Sequence, residues 1–275
     1  PYDAGTKLPK GSYRTQAINS QEVNADFLLK YNKKINEDFN ISAFFGGSML
    51  KNDYHKDEIR ADSLVYPGIY TAANSKGPLV TLPYRSEYGI NSFYGMVSTS
   101  YKDILYLDLT GRQDWNSTLA TPERTENAGF FYPSANLSFV ASDVIELPKQ
   151  ISFAKLRFSA SKVGSGTTRP YRTAYNYVSG GSLYSGGLQN PSTLANPDLR
   201  SLSTTTFELG TDIRFFKSRL NLDVAVYTGN TKDQILERII DQSAGFGKMI
   251  INAGTVRNRG LEIAINAKTI KSKMD

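Results

Sequence analysis

The stretch "FFKSRLNLDVAVYTGNTKDQI", residues 215–235, decides the fold class. Leu220, Leu222, Val224 and Val226 occupy every second position, and Asn221, Asp223, Ala225 and Tyr227 lie between them. A period of two is that of a β-strand, whose successive side chains point to opposite faces. One face of this strand is aliphatic and meets either a protein core or lipid. The other carries an amide, a carboxylate and a phenol and meets water.

The same alternation recurs along the chain. Ala25, Phe27, Leu29 and Tyr31 form one stripe, and Phe39, Ile41, Ala43 and Phe45 form another after the polar turn "NKKINED". Leu105, Leu107 and Leu109 follow, then Ala135, Leu137 and Phe139, then Leu156, Phe158 and Ala160. Phe207, Leu209, Ile213 and Phe215 alternate with Glu208, Asp212 and Arg214, and Leu261, Ile263 and Ile265 with Glu262, Ala264 and Asn266. "NSFYGMVSTSYKD" also reads as a strand, although both of its faces are mixed. The pattern predicts about nine strands, over 22–36, 38–48, 91–102, 103–113, 130–141, 152–163, 203–217, 218–230 and 248–270.

The connections alternate in length. Tight turns are expected near Asn36, near Lys102 and at Lys217-Ser218, and a compact link at "SDVIELPKQI"; between them come long loops over 49–90, 114–129, 164–202 and 231–247. In an up-and-down meander this places the short turns on one rim and the long loops on the other. Outer-membrane barrels have that asymmetry, whereas soluble sandwiches use Greek-key crossings. The expected fold is all-β, an antiparallel up-and-down transmembrane β-barrel in preference to the alternative, a soluble β-domain. An odd number of strands running from one rim to the other cannot close, so the chain is expected to be part of a larger barrel domain.

Composition agrees with this and narrows the function classes. The chain has 17 Tyr, 14 Phe and 22 Gly but no Cys, a strand-rich texture without a disulfide framework or thiolate metal site. Its net charge of +6 is spread along the chain with acidic residues interspersed, unlike a nucleic-acid-binding arm. No apolar run reaches the roughly 18 residues of a membrane helix. The mean hydropathy of −0.37 is compatible with a barrel, in which lipid-facing and lumen-facing residues average out. The start "PYDAGTKLPKGSYRTQ" has no export signal, and "GLEIAINAKTIKSKMD" stops at a polar turn; a signal peptide and the final strands are expected to lie outside 1–275.

Few residues carry catalytic chemistry. His55, in "KNDYHKDEIR", is the single histidine and reads as a solvated loop residue, which argues against a histidine-based triad or a multi-histidine metal site. Asp53, Asp57 and Glu58 beside it lack EF-hand spacing and are neutralised by Lys51, Lys56 and Arg60. "KVGSGTTRP" lacks the third glycine of a dinucleotide fingerprint and the lysine of a phosphate loop. No enzyme activity, cofactor or metal is expected.

The aromatic residues of the long loops are more informative. Tyr171, Tyr175, Tyr177 and Tyr184 stand among Gly, Ser and Asn, and Trp115 ends a strand in "GRQDWNST". Aromatic faces beside amides and hydroxyls suit carbohydrate or peptide ligands, and they also suit an interfacial girdle; for Trp115 both readings stand. Arg157, Glu208, Asp212 and Arg214 fall on the polar faces of their strands and are expected to face the lumen, where they line a substrate path or, on the family resemblance given next, bridge to a plug.

At this point the sequence resembles a known family. "NPDLRSLSTTTFELGTDIRFFKSRLNLDVAVYTGNTKDQIL" (196–236) with "GTVRNRGLEIAINAKTI" (254–270) is similar to the C-terminal barrel of SusC/RagA-type TonB-dependent outer-membrane transporters. "NSFYGMVSTSYKDILYLDLTGRQDWNST" (91–118) and "FFYPSANLSFVASDVIELPKQISFAKLRFSASKVG" (130–164) carry the same resemblance. It departs after Asn196-Pro197-Asp198-Leu199, where "RSLST" replaces an aromatic and an acidic residue. The resemblance implies import of glycan fragments or peptides across the outer membrane of a Bacteroidetes-type bacterium. It further implies a SusD-like lipoprotein lid and energy from the TonB complex through a preceding plug. The rival from another class is a soluble secreted β-rich module that binds glycan through its loops.

Overall fold

The computed structural model describes residues 11–167, 169–179 and 187–268. Among the described residues, nine long strands and four two-residue strands make up nearly all of the regular structure. They are β1 (Tyr13–Lys34), β2 (Phe39–Ala61), β3 (Val80–Thr81), β4 (Tyr84–Tyr101), β5 (Leu105–Asn116), β6 (Gly129–Val140), β7 (Ile151–Ser165), β8 (Val178–Ser179), β9 (Leu188–Gln189), β10 (Thr193–Leu194), β11 (Leu202–Phe215), β12 (Leu220–Ile239) and β13 (Lys248–Ala267). The long strands pair in chain order, each antiparallel to the next, as one open meander.

All nine expected strands are present, and several are longer than the alternation indicates. β1 begins at Tyr13, β2 runs to Ala61 and β12 to Ile239. The expected long loop over 49–90 is corrected to a connection between Ala61 and Tyr84, and His55 lies on β2, paired with Asn19 and Arg85. The reason is environmental: where both faces of a strand meet water, backbone pairing continues while the apolar alternation that betrays a strand disappears.

The short connections have the geometry expected for tight turns. Lys102 and Asp103 both take φ near +55°, as a type I′ hairpin turn requires, and the Ile104 N–H donates to Tyr101 O at 3.0 Å. Phe216, Lys217 and Ser218 are all left-handed, closed by Arg219 N–H to Phe215 O at 3.0 Å. Asn36 closes the first turn by accepting from the Asp38 and Phe39 N–H groups at 3.0 and 2.7 Å. These turns share one rim with the link Ala141–Gln150, and the longer loops share the other.

Register decides what the two faces are. Residues opposite one another in an antiparallel pair share a face. Val226 pairs with Leu209 and Leu261, Leu209 with Phe158, Phe158 with Leu137, Leu137 with Leu107, Leu107 with Thr99, and Thr99 with Ile41. The stripes recognised separately thus join into one apolar band across the whole sheet. Leu29, Leu209, Leu261 and Ile265 on this band are 55–65 % exposed, so no layer of the described residues covers it. "NSFYGMVSTSYKD" is oriented by its partners: Phe93, Val97 and Tyr101 join the band, and Tyr94, Met96 and Ser98 turn away.

Aromatic rings on the band lie over glycines of the neighbouring strand. A Cβ on Gly47 would meet the Phe27 ring at 2.6 Å, one on Gly111 the Phe131 ring at 3.1 Å, and one on Gly129 the Trp115 ring at 3.1 Å. Small residues here let large rings lie flat across the sheet.

Candidate functional site at the long-loop rim

The long connections converge at one end of the sheet and hold one another by polar contacts to backbone. The Tyr171 segment, between β7 and β11, is anchored to the link after β5. Thr118 Oγ1 donates to Thr167 O at 2.7 Å, and the buried Thr173 donates to Ala120 O at 2.6 Å. Its return into β11 is pinned by Asn252, whose side chain exchanges two hydrogen bonds with the backbone of Arg200 at 2.8 and 2.9 Å. Below this joint Leu119, Leu199 and Ile250 form a small core with Phe130 and Ile235 packed against it. Leu199 closes the Asn-Pro-Asp-Leu motif and is fully buried; Asp198 pairs with Arg124 at 2.8 Å. The motif therefore fastens the loops together.

On this base lies a groove of about 510 Å³ lined by Tyr84, Tyr171, Arg172, Asn176, Glu237 and Ile250, among others. Tyr171, in a left-handed conformation, accepts a hydrogen bond from the Glu87 N–H at 3.2 Å. Arg172 Nη2 lies 2.6 Å from Glu237 Oε1, and Lys248 Nζ 3.3 Å from Glu237 Oε2. Lys248 and Arg172 together hold the Glu237 carboxyl below the usual glutamate range. Tyr175 and Tyr177 are 64 % and 70 % exposed. Tyr184 lies outside the described residues. The arrangement offers open aromatic faces beside a paired guanidinium and carboxylate, a surface for recognition.

Trp115 stands apart from this groove. It is the penultimate residue of β5 and lies on the apolar face, opposite Asn91 and Gly129, with its ring edge-on to Phe93 at 6.1 Å. Arg157, Glu208, Asp212 and Arg214 are brought together on the face opposite the band. Arg157 reaches Asp223 at 2.7 Å, and Arg214 reaches Asp212 at 2.9 Å while covering the Phe153 ring.

A second polar network on that face escaped the sequence reading. Arg112 Nε donates to Asp114 at 2.7 Å and Arg112 Nη2 to Ser92 at 2.9 Å, and the Tyr132 hydroxyl donates to the same buried Asp114. Arg112 and Asp114 are two apart and so share a face; that was legible, but the partners Ser92 and Tyr132 come from neighbouring strands. His55 Nε2 is 3.1 Å from Asp57 Oδ1, while Glu58 turns to the other side of β2 and is buried between Arg14 and Lys56 at 2.7 and 2.9 Å. Strand alternation thus separates Glu58 from Asp53 and Asp57.

The profile of the family described as "TonB dependent receptor-like, beta-barrel" matches residues 2–271. The chain belongs to this family. Two TonB-dependent receptors of Formosa agariphila are similar, one 27 % identical over 95 % of this chain and 27 % of its own length, another 26 % identical over 93 % and 26 %. The chain thus spans about a quarter of the curated relatives it matches. Among solved structures, the RagAB peptide transporter shares the fold at TM-score 0.81 and 18 % identity, over 94 % of this chain and 29 % of that one. The outer-membrane transporter YddB of Escherichia coli superposes at TM-score 0.59 and 12 % identity, over 92 % and 31 %.

This membership sets the soluble-module reading aside and assigns the apolar band to lipid. The chain is outer-membrane barrel wall. The long-loop rim, by the asymmetry of such barrels, is the extracellular one. Family members are receptors and transporters.

Proposed function

We propose that this chain is the wall and outer rim of an importer that takes glycan fragments or peptides across the outer membrane. A SusD-like lipoprotein serves as its lid, and the TonB complex drives it through a plug outside residues 1–275. The observation that carries this reading is the groove of Tyr84, Tyr171, Arg172 and Asn176 on the long-loop rim, with Tyr175 and Tyr177 exposed beside it. Rings can stack on a sugar or peptide plane while Asn176 and the Arg172–Glu237 pair hydrogen-bond to its edges. Tyr184, in the same segment, is assigned the same role. Arg157, Glu208, Asp212 and Arg214 line the lumen, where in a plugged barrel their main role is to hold the plug. Of the two readings for Trp115, its place on the lipid face beside Phe93 supports the interfacial girdle.

Uptake by cells producing the full-length receptor tests this. Labelled oligosaccharide and peptide mixtures should accumulate only with an intact TonB complex, and Tyr175→Ala with Tyr177→Ala should cut accumulation several-fold while barrel assembly is unchanged. Accumulation that ignores both TonB and the tyrosine variants would remove the proposal. Co-purification of a lipoprotein with the full-length receptor tests the lid separately.

A further inference from the structure

The outward face changes character just above the apolar band, and it does so differently on its two halves. Over β1–β6 the upper edge of the band is aromatic, with Phe27, Phe45, Phe93, Trp115 and Phe131. Over β7, β11, β12 and β13 it is cationic. Lys162 pairs with Thr205, Thr205 with Asn230 and Asn230 with Arg257; one step along, Lys232 pairs with Ser203, and Thr228 with Arg259. All these residues share the face of Phe158, Leu209, Val226 and Leu261, by the unbroken register of the strands. Four cations on three strands, β7, β12 and β13, therefore gather on the lipid-facing side of the wall.

Their height is set by the bilayer. A membrane-crossing strand uses about 9–11 residues. Counted from the short-turn end at Leu220, that length ends near Asn230, the level of Lys162 and Arg257. The cations stand where hydrocarbon gives way to headgroups. They border a groove of about 660 Å³ whose walls also carry Thr205, Thr228 and Asn230. Asp233 is the acidic side chain at the groove. Among the described residues, none of Lys162, Lys232, Arg257 and Arg259 joins an ion pair. Elsewhere on the chain arginines are commonly paired, as Arg14, Arg60, Arg112, Arg157 and Arg172 are.

We infer that this groove binds the phosphorylated headgroup of an outer-leaflet lipid, with Arg257, Arg259, Lys162 and Lys232 on phosphate oxygens and Thr205, Thr228 and Asn230 on headgroup hydroxyls. Guanidinium forks match phosphate geometry, and a guanidinium, more weakly hydrated than an ammonium, exchanges its water for phosphate oxygens at smaller cost. The adjoining band of Phe158, Leu209, Val226 and Leu261 accepts the acyl chains of the same molecule, so a lipid satisfies both halves of the surface where a free anion satisfies one. The inference rests on the membrane position of the barrel and is independent of what the receptor imports.

Titration of the full-length receptor in dodecyl maltoside with lipid A carrying its phosphates, followed by native mass spectrometry, tests the site. Bound lipid A should survive gentle activation, and dephosphorylated lipid A should bind at least tenfold more weakly. The variant Lys162→Gln, Lys232→Gln, Arg257→Gln, Arg259→Gln should lose at least tenfold in affinity, while Lys102→Gln with Lys217→Gln at the opposite rim should bind as the unaltered receptor does. Heat-modifiable mobility checks that each variant is folded; should the quadruple variant not assemble, Arg257→Gln with Arg259→Gln alone should still lose several-fold. Equal binding by the phosphorylated and dephosphorylated lipids, or by the cation variants and the unaltered receptor, overturns the inference. Displacement of lipid A by inorganic phosphate at a comparable concentration overturns the lipid assignment.

Discussion

Arg157 on β7 passes over Gly210 of β11 to reach Asp223 of β12, with Nη2 2.7 Å from Oδ1. The guanidinium uses the space that a side chain at 210 would fill: a Cβ there would meet Nη2 at 3.0 Å. Gly210→Leu should therefore cost the Arg157–Asp223 pair as well as its own fit. Both groups remain partly exposed to the lumen, so the pair is worth no more than about 1 kcal/mol. Urea unfolding of the full-length receptor in micelles should show that Asp223→Asn loses most of its effect once Gly210→Leu is present. Fully additive effects would mean that the bridge contributes nothing.

The two faces differ in what they tolerate. Val224 belongs to the lipid-facing band, paired with Thr211 and Ile263. Val224→Arg near the bilayer midplane should cost about 2–4 kcal/mol. Ser159 lies on the lumen face opposite Glu208, so Ser159→Arg gains a carboxylate neighbour and should change stability by less than about 1 kcal/mol. Assembly into lipid vesicles, read by gel mobility before and after heating, compares them; similar losses for both would contradict the assignment of faces.

The loop cluster should respond to acid through Glu237. Lys248 and Arg172 favour its ionised form, so its pKa is depressed in the folded loops. The stability it contributes is fully present above the ordinary glutamate value of about 4.3 and is lost as pH falls through the lower folded value. Limited proteolysis between β7 and β11 should thus be slow at pH 6 and accelerate below pH 4. Glu237→Gln should flatten that dependence. Acid sensitivity that persists unchanged in the variant would place its origin elsewhere.

Close packing at Gly46 gives a purely steric prediction. A Cβ there would lie 2.7 Å from the Tyr94 ring and 2.8 Å from Phe27 O, and backbone cannot yield as a side-chain tip can. Gly46→Val should cost about 1–3 kcal/mol. At Gly89 the nearest atom is Leu50 O at 3.4 Å, and Gly89→Ala should stay within about 0.5 kcal/mol. The contrast is measurable in the same unfolding experiment, where equal midpoints would discount the clash.

The strands were legible where a bilayer imposes alternation and illegible beyond it. Leu220–Val226 announced β12, but "KDQILERI" at its upper end did not, because neither face there is held to one solvent. For the same reason "KNDYHKDEIR" read as a loop and is the upper half of β2. The candidate site divided likewise. Local composition pointed to Tyr171, Tyr175 and Tyr177, and strand parity to Arg157, Glu208, Asp212 and Arg214. The partners Glu237, Ser92, Tyr132 and Asp223 come from other strands, and no spacing within one segment encodes them.

The sequence by itself determined that the chain forms amphipathic strands of membrane-crossing length, with short turns and long loops sorted to opposite rims. That much is local: side-chain alternation and turn chemistry act within a few residues. Only the tertiary structure decided that the separate stripes form one lipid-facing band, that the rim above it is aromatic on one half and cationic on the other, and that Arg157 spans Gly210 to Asp223. Those facts depend on register between strands, which is set by the simultaneous pairing of the whole sheet.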